Sequence, residues 1–213
     1  MKTIRYLIRH LSRTVLFALL VGITGCATRP PSRSGFLEDY SLLKEDHAGG
    51  KNLQWWEKEG FDWHRYQKVI IDTVVVYDHH EAQKKQINPA KTKELTTYFH
   101  NTVERELADD YPVVTEPGPD VLRIRTAITE IVPSNPAINY PAMAVVFFPI
   151  DMGGASIEAA FMDSETDEVL AIMVDRKMGS PFKPRGFTKM GHARAAFDHW
   201  AKELKLALEI DPK

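Results

Sequence analysis

The chain has 213 residues, of which 27 are Lys or Arg and 29 are Asp or Glu, and 44% are apolar. That length and apolar fraction suit one domain with an ordinary core and a linker. The acidic excess argues against nucleic acid as a partner and against electrostatic adhesion to anionic lipid, and no internal repeat or coiled-coil heptad is present.

Residues 1–25 read as an export signal, which needs a basic start, an apolar run and small residues at the cut. Lys2, Arg5, Arg9 and Arg13 supply the charge, with no acidic residue before Cys26, and Val15 to Ile23 is the apolar run. The run is too short to cross a bilayer, which takes about 20 residues, so an uncleaved membrane helix is the weaker alternative. Ile23-Thr24-Gly25-Cys26 resembles the lipobox of bacterial lipoproteins. The resemblance implies an S-diacylglyceryl group on Cys26, cleavage just before it, and N-acylation of the new amine.

Cys26 is the only cysteine. A thioether there removes an unpaired thiol that would be a liability in an oxidising compartment. Each buried methylene contributes about 0.8 kcal/mol, so three acyl chains would anchor the protein for practical purposes permanently. Ala27 follows the cysteine. In enteric-type lipoproteins an Asp at that place favours inner-membrane retention, so the resemblance points to the outer membrane, with the domain facing the periplasm. Loss of the four basic signal residues leaves 23 basic against 29 acidic residues, a net charge near −6.

Residues 26–35 read as anchor and tether, with Pro30 and Pro31 stiffening a polar stretch. Residues 36–213 are expected to form a single domain. Phe36, Leu37, Tyr40, Leu42 and Leu43 are too apolar for open linker and are expected to pack on it. Gly49-Gly50 then breaks the chain. Trp55, Trp56, Phe61, Trp63 and Tyr66 form an aromatic cluster. It reads either as rings sealing the edge of a small core or, through Trp55, Trp56 and Trp63, as a stacking surface for glycan such as peptidoglycan, or for lipid.

Lys68 to Asp78, β-branched nearly throughout from Val69 to Tyr77, predicts a central strand, covered at least in part on both faces. Pro89 to Asp110 predicts a helix with an apolar stripe of Leu95, Tyr98, Phe99, Val103 and Leu107, fraying before Asp109 and Asp110. Val113-Val114 reads as a short edge strand before the Pro117-Gly118-Pro119 turn. Val121 to Val132 alternates, with Leu122, Ile124, Thr126 and Ile128 on one face. Strand, helix and strand in that order predict a parallel crossover.

Residues 137–150 contain the apolar run Ala142, Met143, Ala144, Val145, Val146, Phe147 and Phe148 between Pro141 and Pro149. So long a connection reads either as an exposed apolar loop that inserts into a partner or the lipid surface, or as an extra short strand or core plug. Residues 155–162 and 168–177 predict a hairpin about the polar turn 163–167. Ile157, Ala159 and Phe161 share one face of its first strand; Leu170, Ile172 and Val174 are expected to share one face of the second. After a loop with Pro181, Pro184 and Gly186, a helix from Thr188 to Glu209 carries Met190, Ala193, Phe197, Trp200, Ala201, Leu204 and Leu208 on one stripe. The fold class is therefore α+β: a two-layer sandwich, with two long helices on a mixed sheet of about 4–5 strands.

Reactive groups are scarce. The sequence holds no Gly-x-Ser-x-Gly, His-Glu-x-x-His or phosphate-cradling glycine loop. His79, His80 and Glu81 would point apart on an extended chain. Asp163, Glu165 and Asp167 lack the central glycine and closing glutamate of a calcium loop. His192 and His199 are two helical turns apart but have no third ligand. No catalytic residue, metal ligand or cofactor other than the covalent lipid is assigned.

Four segments carry a wider resemblance: Gly35-Phe36-Leu37-Glu38-Asp39-Tyr40-Ser41, the strand Ile70 to Tyr77, Gly153-Gly154-Ala155-Ser156-Ile157-Glu158, and Asp163-Ser164-Glu165-Thr166. Through them the chain resembles a family of small bacterial lipoproteins known as a domain of unknown function. The element order is similar to that of the N-terminal domain of TolB, a likeness of fold that by itself implies no activity. The expected function is that of a non-enzymatic lipoprotein anchored at the outer membrane, binding an envelope protein or cell-wall partner through residues 137–150 and exposed strand edges. A glycan or lipid binder using Trp55, Trp56 and Trp63 is the first alternative. A metal-dependent envelope enzyme drawing on His79, His80, Glu81, His192 and His199 is the second.

Overall fold

The computed structural model describes residues 33–46, 52–77, 88–180, 185 and 187–209. Cys26, the signal, and His79, His80 and Glu81 lie outside the described residues. In chain order the strands are β1 (Lys44–Glu45), β2 (Gln54–Glu57), β3 (Lys68–Ile71), β4 (Val75–Val76), β5 (Val121–Val132), β6 (Gly154–Asp163) and β7 (Val169–Met178). The helices are α1 (Pro89–Leu107), α2 (Pro136–Val146) and α3 (Gly191–Glu209).

One mixed sheet runs β1-β2-β7-β6-β5-β3, with β4 also on β5. β3 and β4 are parallel to β5, and the other pairs are antiparallel. The architecture is α+β as expected, but with seven strands rather than four or five. The additional ones are β1, β2 and the split-off β4, each of two to four residues. Elements that short leave little periodicity in the sequence.

The β-branched run from Val69 is divided, and it lies at the sheet edge rather than at its centre. Ile71 pairs with Ile124 but Val75 pairs with Ala127, so this side carries one residue more than β5 over the same span. The extra residue reverses the alternation, as at a β-bulge. Val69 and Val74 are buried, whereas Val75, Val76 and Tyr77 are exposed. The centre is β6, whose ten residues are all buried. Val113 forms only an isolated parallel bridge to Val69.

α1 and α3 lie on one face of the sheet. Asn88 caps α1 by accepting from the Ala90 N–H at 2.8 Å, with Pro89 in the first turn. The helix ends at Leu107, ahead of Asp109 and Asp110 as expected. Its Leu95, Phe99, Val103 and Leu107 meet Ala193, Phe197, Trp200 and Leu208 of α3, and Ile124, Ile128, Ile157 and Phe161 of the sheet, in the main core. Phe99 stacks on Phe197 with centroids 4.8 Å apart. Each large apolar side chain so buried contributes roughly 1.5–3 kcal/mol.

The opposite face has its own smaller core. Leu37 is buried there against Ala160, Met162, Ile172 and Val174, with Phe36, Tyr40, Leu43 and Trp56 packed around it. The chain from Phe36 to Leu43 therefore packs on the sheet, as its composition predicted, except for Leu42, which is exposed. Ser34, placed in the tether by sequence, is already tied down: its N–H donates to Glu158 Oε1 at 2.7 Å. One facing is corrected. Leu170 belongs to the helix-side core while Ile172 and Val174 face the other way. A register shift causes this, because Phe161 pairs with Ala171 and Met162 with Val169, leaving Leu170 as the extra residue.

Candidate functional site

Residues 137–150 are neither a strand nor a core plug. Up to Val146 they belong to α2, and 147–150 are the turn that follows it; Asn135 caps the helix by accepting from the Ala137 N–H at 3.0 Å, with Pro136 in the first turn. Phe147 ends the helix in the left-handed region, φ 63°. The turn that follows is fastened by Asn139, which is fully buried. Its amide donates to the Asp151 carbonyl at 2.8 Å and accepts from the N–H groups of Ile150 at 3.0 Å and Asp151 at 2.8 Å. Large apolar side chains stand outward around this fixed point. Val145 is 76% exposed and Phe147 79%, and Ile138, Tyr140, Met143, Phe148 and Ile150 are exposed too. No charged residue lies between Pro136 and Ile150.

Of the sequence-predicted contact residues, Met143, Val145, Phe147 and Phe148 are on this surface and Ala142 is half-buried beside them; the side chain of Val146 is outside the described set.

Trp55, Trp56 and Trp63 do not form one platform. Trp55 and Trp56 are neighbours on β2 and point to opposite faces of the sheet. Trp55 joins Trp63 and Phe161 in the main core, at centroid separations of 6.2 Å and 5.6 Å, and Trp56 joins the smaller core. Trp63 is buried and its indole N–H donates to Glu57 Oε2 at 2.9 Å.

The same helix-side face holds a cavity of about 330 Å³ between the sheet and the two long helices. Trp55, Trp63, Phe99, Phe161 and Trp200 supply its aromatic walls, and Thr126 and Ala159 are among its lining residues. These two are cross-strand partners on β5 and β6. Two small side chains opposite each other leave room where larger neighbours would have filled it. The width of the sheet contributes as well. Six strands side by side span roughly 24 Å, and two helices at interaxial distances of about 10 Å cover less. The exposed members of the lining, Glu203 and Leu206, mark the mouth, with half-buried Asp46 among the polar lining residues.

Residues 32–204 match the family described as "Protein of unknown function (DUF3313)". The chain belongs to that family. A relative in Escherichia coli K12 described as "Uncharacterized lipoprotein YdcL" is 30% identical over 125 residues, covering 57% of this chain and 56% of the relative. The chain thus spans about half the length of the curated relatives it matches. Among solved structures, a PelC dodecamer from Paraburkholderia phytofirmans matches with TM-score 0.45 and 9% identity, over 75% of this chain and 98% of that one. Protein XCC0632 from Xanthomonas campestris, of family DUF330, matches with TM-score 0.41 and 11% identity, over 72% and 90%.

In this family member the two predicted histidines part company. His192 is buried at the start of α3, and burial, then the charge of Arg185, lowers its pKa. His199 is exposed, with Nδ1 3.9 Å from Glu203. Asp163 serves its own turn: Oδ1 accepts from the N–H groups of Glu165 and Thr166 and from the Thr166 hydroxyl at 3.0–3.1 Å. Its Oδ2 accepts from the Tyr66 hydroxyl at 2.8 Å. Burial pushes the Asp163 pKa up, but these donors outweigh it and hold the carboxyl below its ordinary value. Among the described residues no group of three His, Cys, Asp or Glu side chains is placed to hold a metal. The sequence did not single out the cavity, because its lining residues carry the same apolar signature as the packed core. The available signal was the pair of small residues, Thr126 and Ala159, on strand faces otherwise lined by Leu122, Ile124, Ile128, Ile157 and Phe161.

Proposed function

We propose that the protein is a non-enzymatic lipoprotein of the bacterial envelope, acylated at Cys26 and held at the outer membrane, whose domain binds an envelope protein through α2. The observation that carries the reading is the outward apolar surface of Val145, Phe147 and their neighbours on a helix pinned by Asn139. A rigid, uncharged apolar surface of this kind suits an apolar groove on another protein, as in helix-in-groove recognition. Polar cell-wall glycan offers such a surface little, and the division of Trp55 from Trp56 weakens the glycan alternative. The lipobox-like Ile23-Thr24-Gly25-Cys26 and the similarity to a named lipoprotein support the anchor. Ala27 supports the outer membrane as its address.

A photoreactive amino acid placed at Phe147 in living cells should give one discrete protein adduct. The same group at Lys202, on exposed α3 surface, should not. Val145→Ser should remove the adduct without altering the circular dichroism. Equal crosslinking from both positions, or adducts to lipid alone from Phe147, overturns the proposed contact. Cys26→Ser should move the protein from the membrane to the soluble fraction, and its persistence in the outer membrane would overturn the anchor.

A further inference from the structure

The cavity beneath α3 is walled almost wholly by carbon. Trp63 and Trp200 turn their indole N–H groups away to Glu57 at 2.9 Å and Asp175 at 2.7 Å, so their rings offer apolar surface to it. Ile124, Ile157, Phe161 and Met173 complete the side formed by the sheet. The polar side chains of the lining are Thr126 on β5 and Asp46, both half-buried, and the carboxylate of Glu203 at the mouth. A sugar, nucleotide or metal complex placed inside would lose its water to walls that offer almost no hydrogen bonds, which is costly. A hydrocarbon chain would lose only unfavourable contact with water.

We propose that this cavity takes the single acyl or alkyl chain of a lipid-type amphiphile, leaving the head group in water at the mouth. The size fits: about 330 Å³ is at the small end of ligand sites, which run from about 300 to 1,000 Å³. It holds one chain and excludes the body of a two-chain phospholipid. The arrangement is also polarised as such a ligand is, with apolar walls inside and Glu203 at the exposed end. The site lies on the helix side of the sheet. The N-terminal segment from Ser34 to Leu43 packs on the other side, so the start of the domain does not fill it.

The test uses full-chain protein in its own membrane and photolabelling with two probes. One is decanol carrying a diazirine near the chain end, added to the medium. The other is a phosphatidylethanolamine with the diazirine in one acyl chain, incorporated into the membrane. Peptide mapping should find label on the segments holding Trp55, Trp63, Phe161 and Trp200. Labelling by decanol alone identifies a free amphiphile as the ligand class, and labelling by the phospholipid identifies a membrane lipid chain. Ala159→Leu, which fills the floor, and Ala207→Trp, which blocks the mouth from the surface of α3, should each reduce the label at least fivefold. Ala207→Trp decides the matter if Ala159→Leu misfolds. Label confined to α2 or other surface segments, or cavity label undiminished in folded Ala207→Trp protein, overturns the proposal.

Discussion

The Tyr40 hydroxyl donates to Oε2 of Glu158, a carboxylate with no exposed surface, in the strand at the centre of the sheet. The same carboxylate accepts from the Ser34 N–H through Oε1. The start of the domain is thus fastened to its middle by one buried acid. Burying a charge is tolerated where hydrogen bonds replace its water. Two of the segments that carry the family resemblance, 35–41 and 153–158, meet at this bond.

Tyr40→Phe removes one of these donors while keeping the ring that packs beside Leu37. The expected loss is about 1–3 kcal/mol, the usual cost of leaving a buried polar group short of a partner. Urea unfolding should show a lower midpoint with an unchanged slope. Hydrogen exchange should quicken first in residues 34–43.

Tyr66 sets an alkaline limit. Burial, then its bond to Asp163, raises its pKa from 10 to about 12. A raised pKa means that the folded state holds its proton more tightly than the unfolded chain does. The associated stability is complete below pH 10 and is lost as pH rises through about 12. Tyr66→Phe should make the fall of the melting temperature over that window shallower than in wild-type protein, and the raised pKa values of Tyr40, Tyr98 and Tyr111 account for the fall that remains.

His192 acts in the opposite pH direction. Its pKa is lowered by burial and by Arg185, so the unfolded chain takes up the proton first. Stability is complete above about 6.5, the ordinary value, and falls as pH drops below it. His192→Gln should reduce the loss of stability as pH falls below about 6.5. Gly179 lies against the imidazole, where an added Cβ would overlap the ring. Gly179→Ala should destabilise by at least about 1 kcal/mol, through overpacking, and thermal melts at neutral pH check it.

Asn139→Ala leaves three backbone groups of the α2 turn without their partner. The expected cost is about 2–3 kcal/mol, and fast exchange should be confined to residues 136–151. Val145→Ser with Phe147→Ser should by contrast stay within about 0.5 kcal/mol of wild type, because both side chains are already in water. A large loss in the double variant would mean that α2 packs inward.

The long elements were legible because their periodicity is long. The stripe of Leu95, Phe99, Val103 and Leu107 and that of Ala193, Phe197, Trp200 and Leu208 each point one way at helical spacing, and both helices formed as expected. The 154–163 and 169–178 hairpin was marked by its polar turn. α2 was missed because Pro141, Pro149 and an unbroken apolar run hide any helical face. Its cap, Asn135, and Pro136 after it were the overlooked start signal. The edge position of β3 and β4 was missed because β-branched residues favour a strand without specifying its neighbours.

By itself the sequence determined where the two long helices and the long strands lie, that both helices share one sheet, and that the segment after the tether packs on the domain. Those properties follow from the spacing of apolar residues along a few turns or a few pleats. Tertiary structure alone decided that Trp55 and Trp56 serve different cores, that His192 is buried while His199 is not, that Leu170 turns inward at a register shift, and that Thr126 meets Ala159 to open a cavity. Each of these depends on which strand lies beside which and in what register. That is a relation between residues distant in sequence, fixed only when the whole sheet assembles.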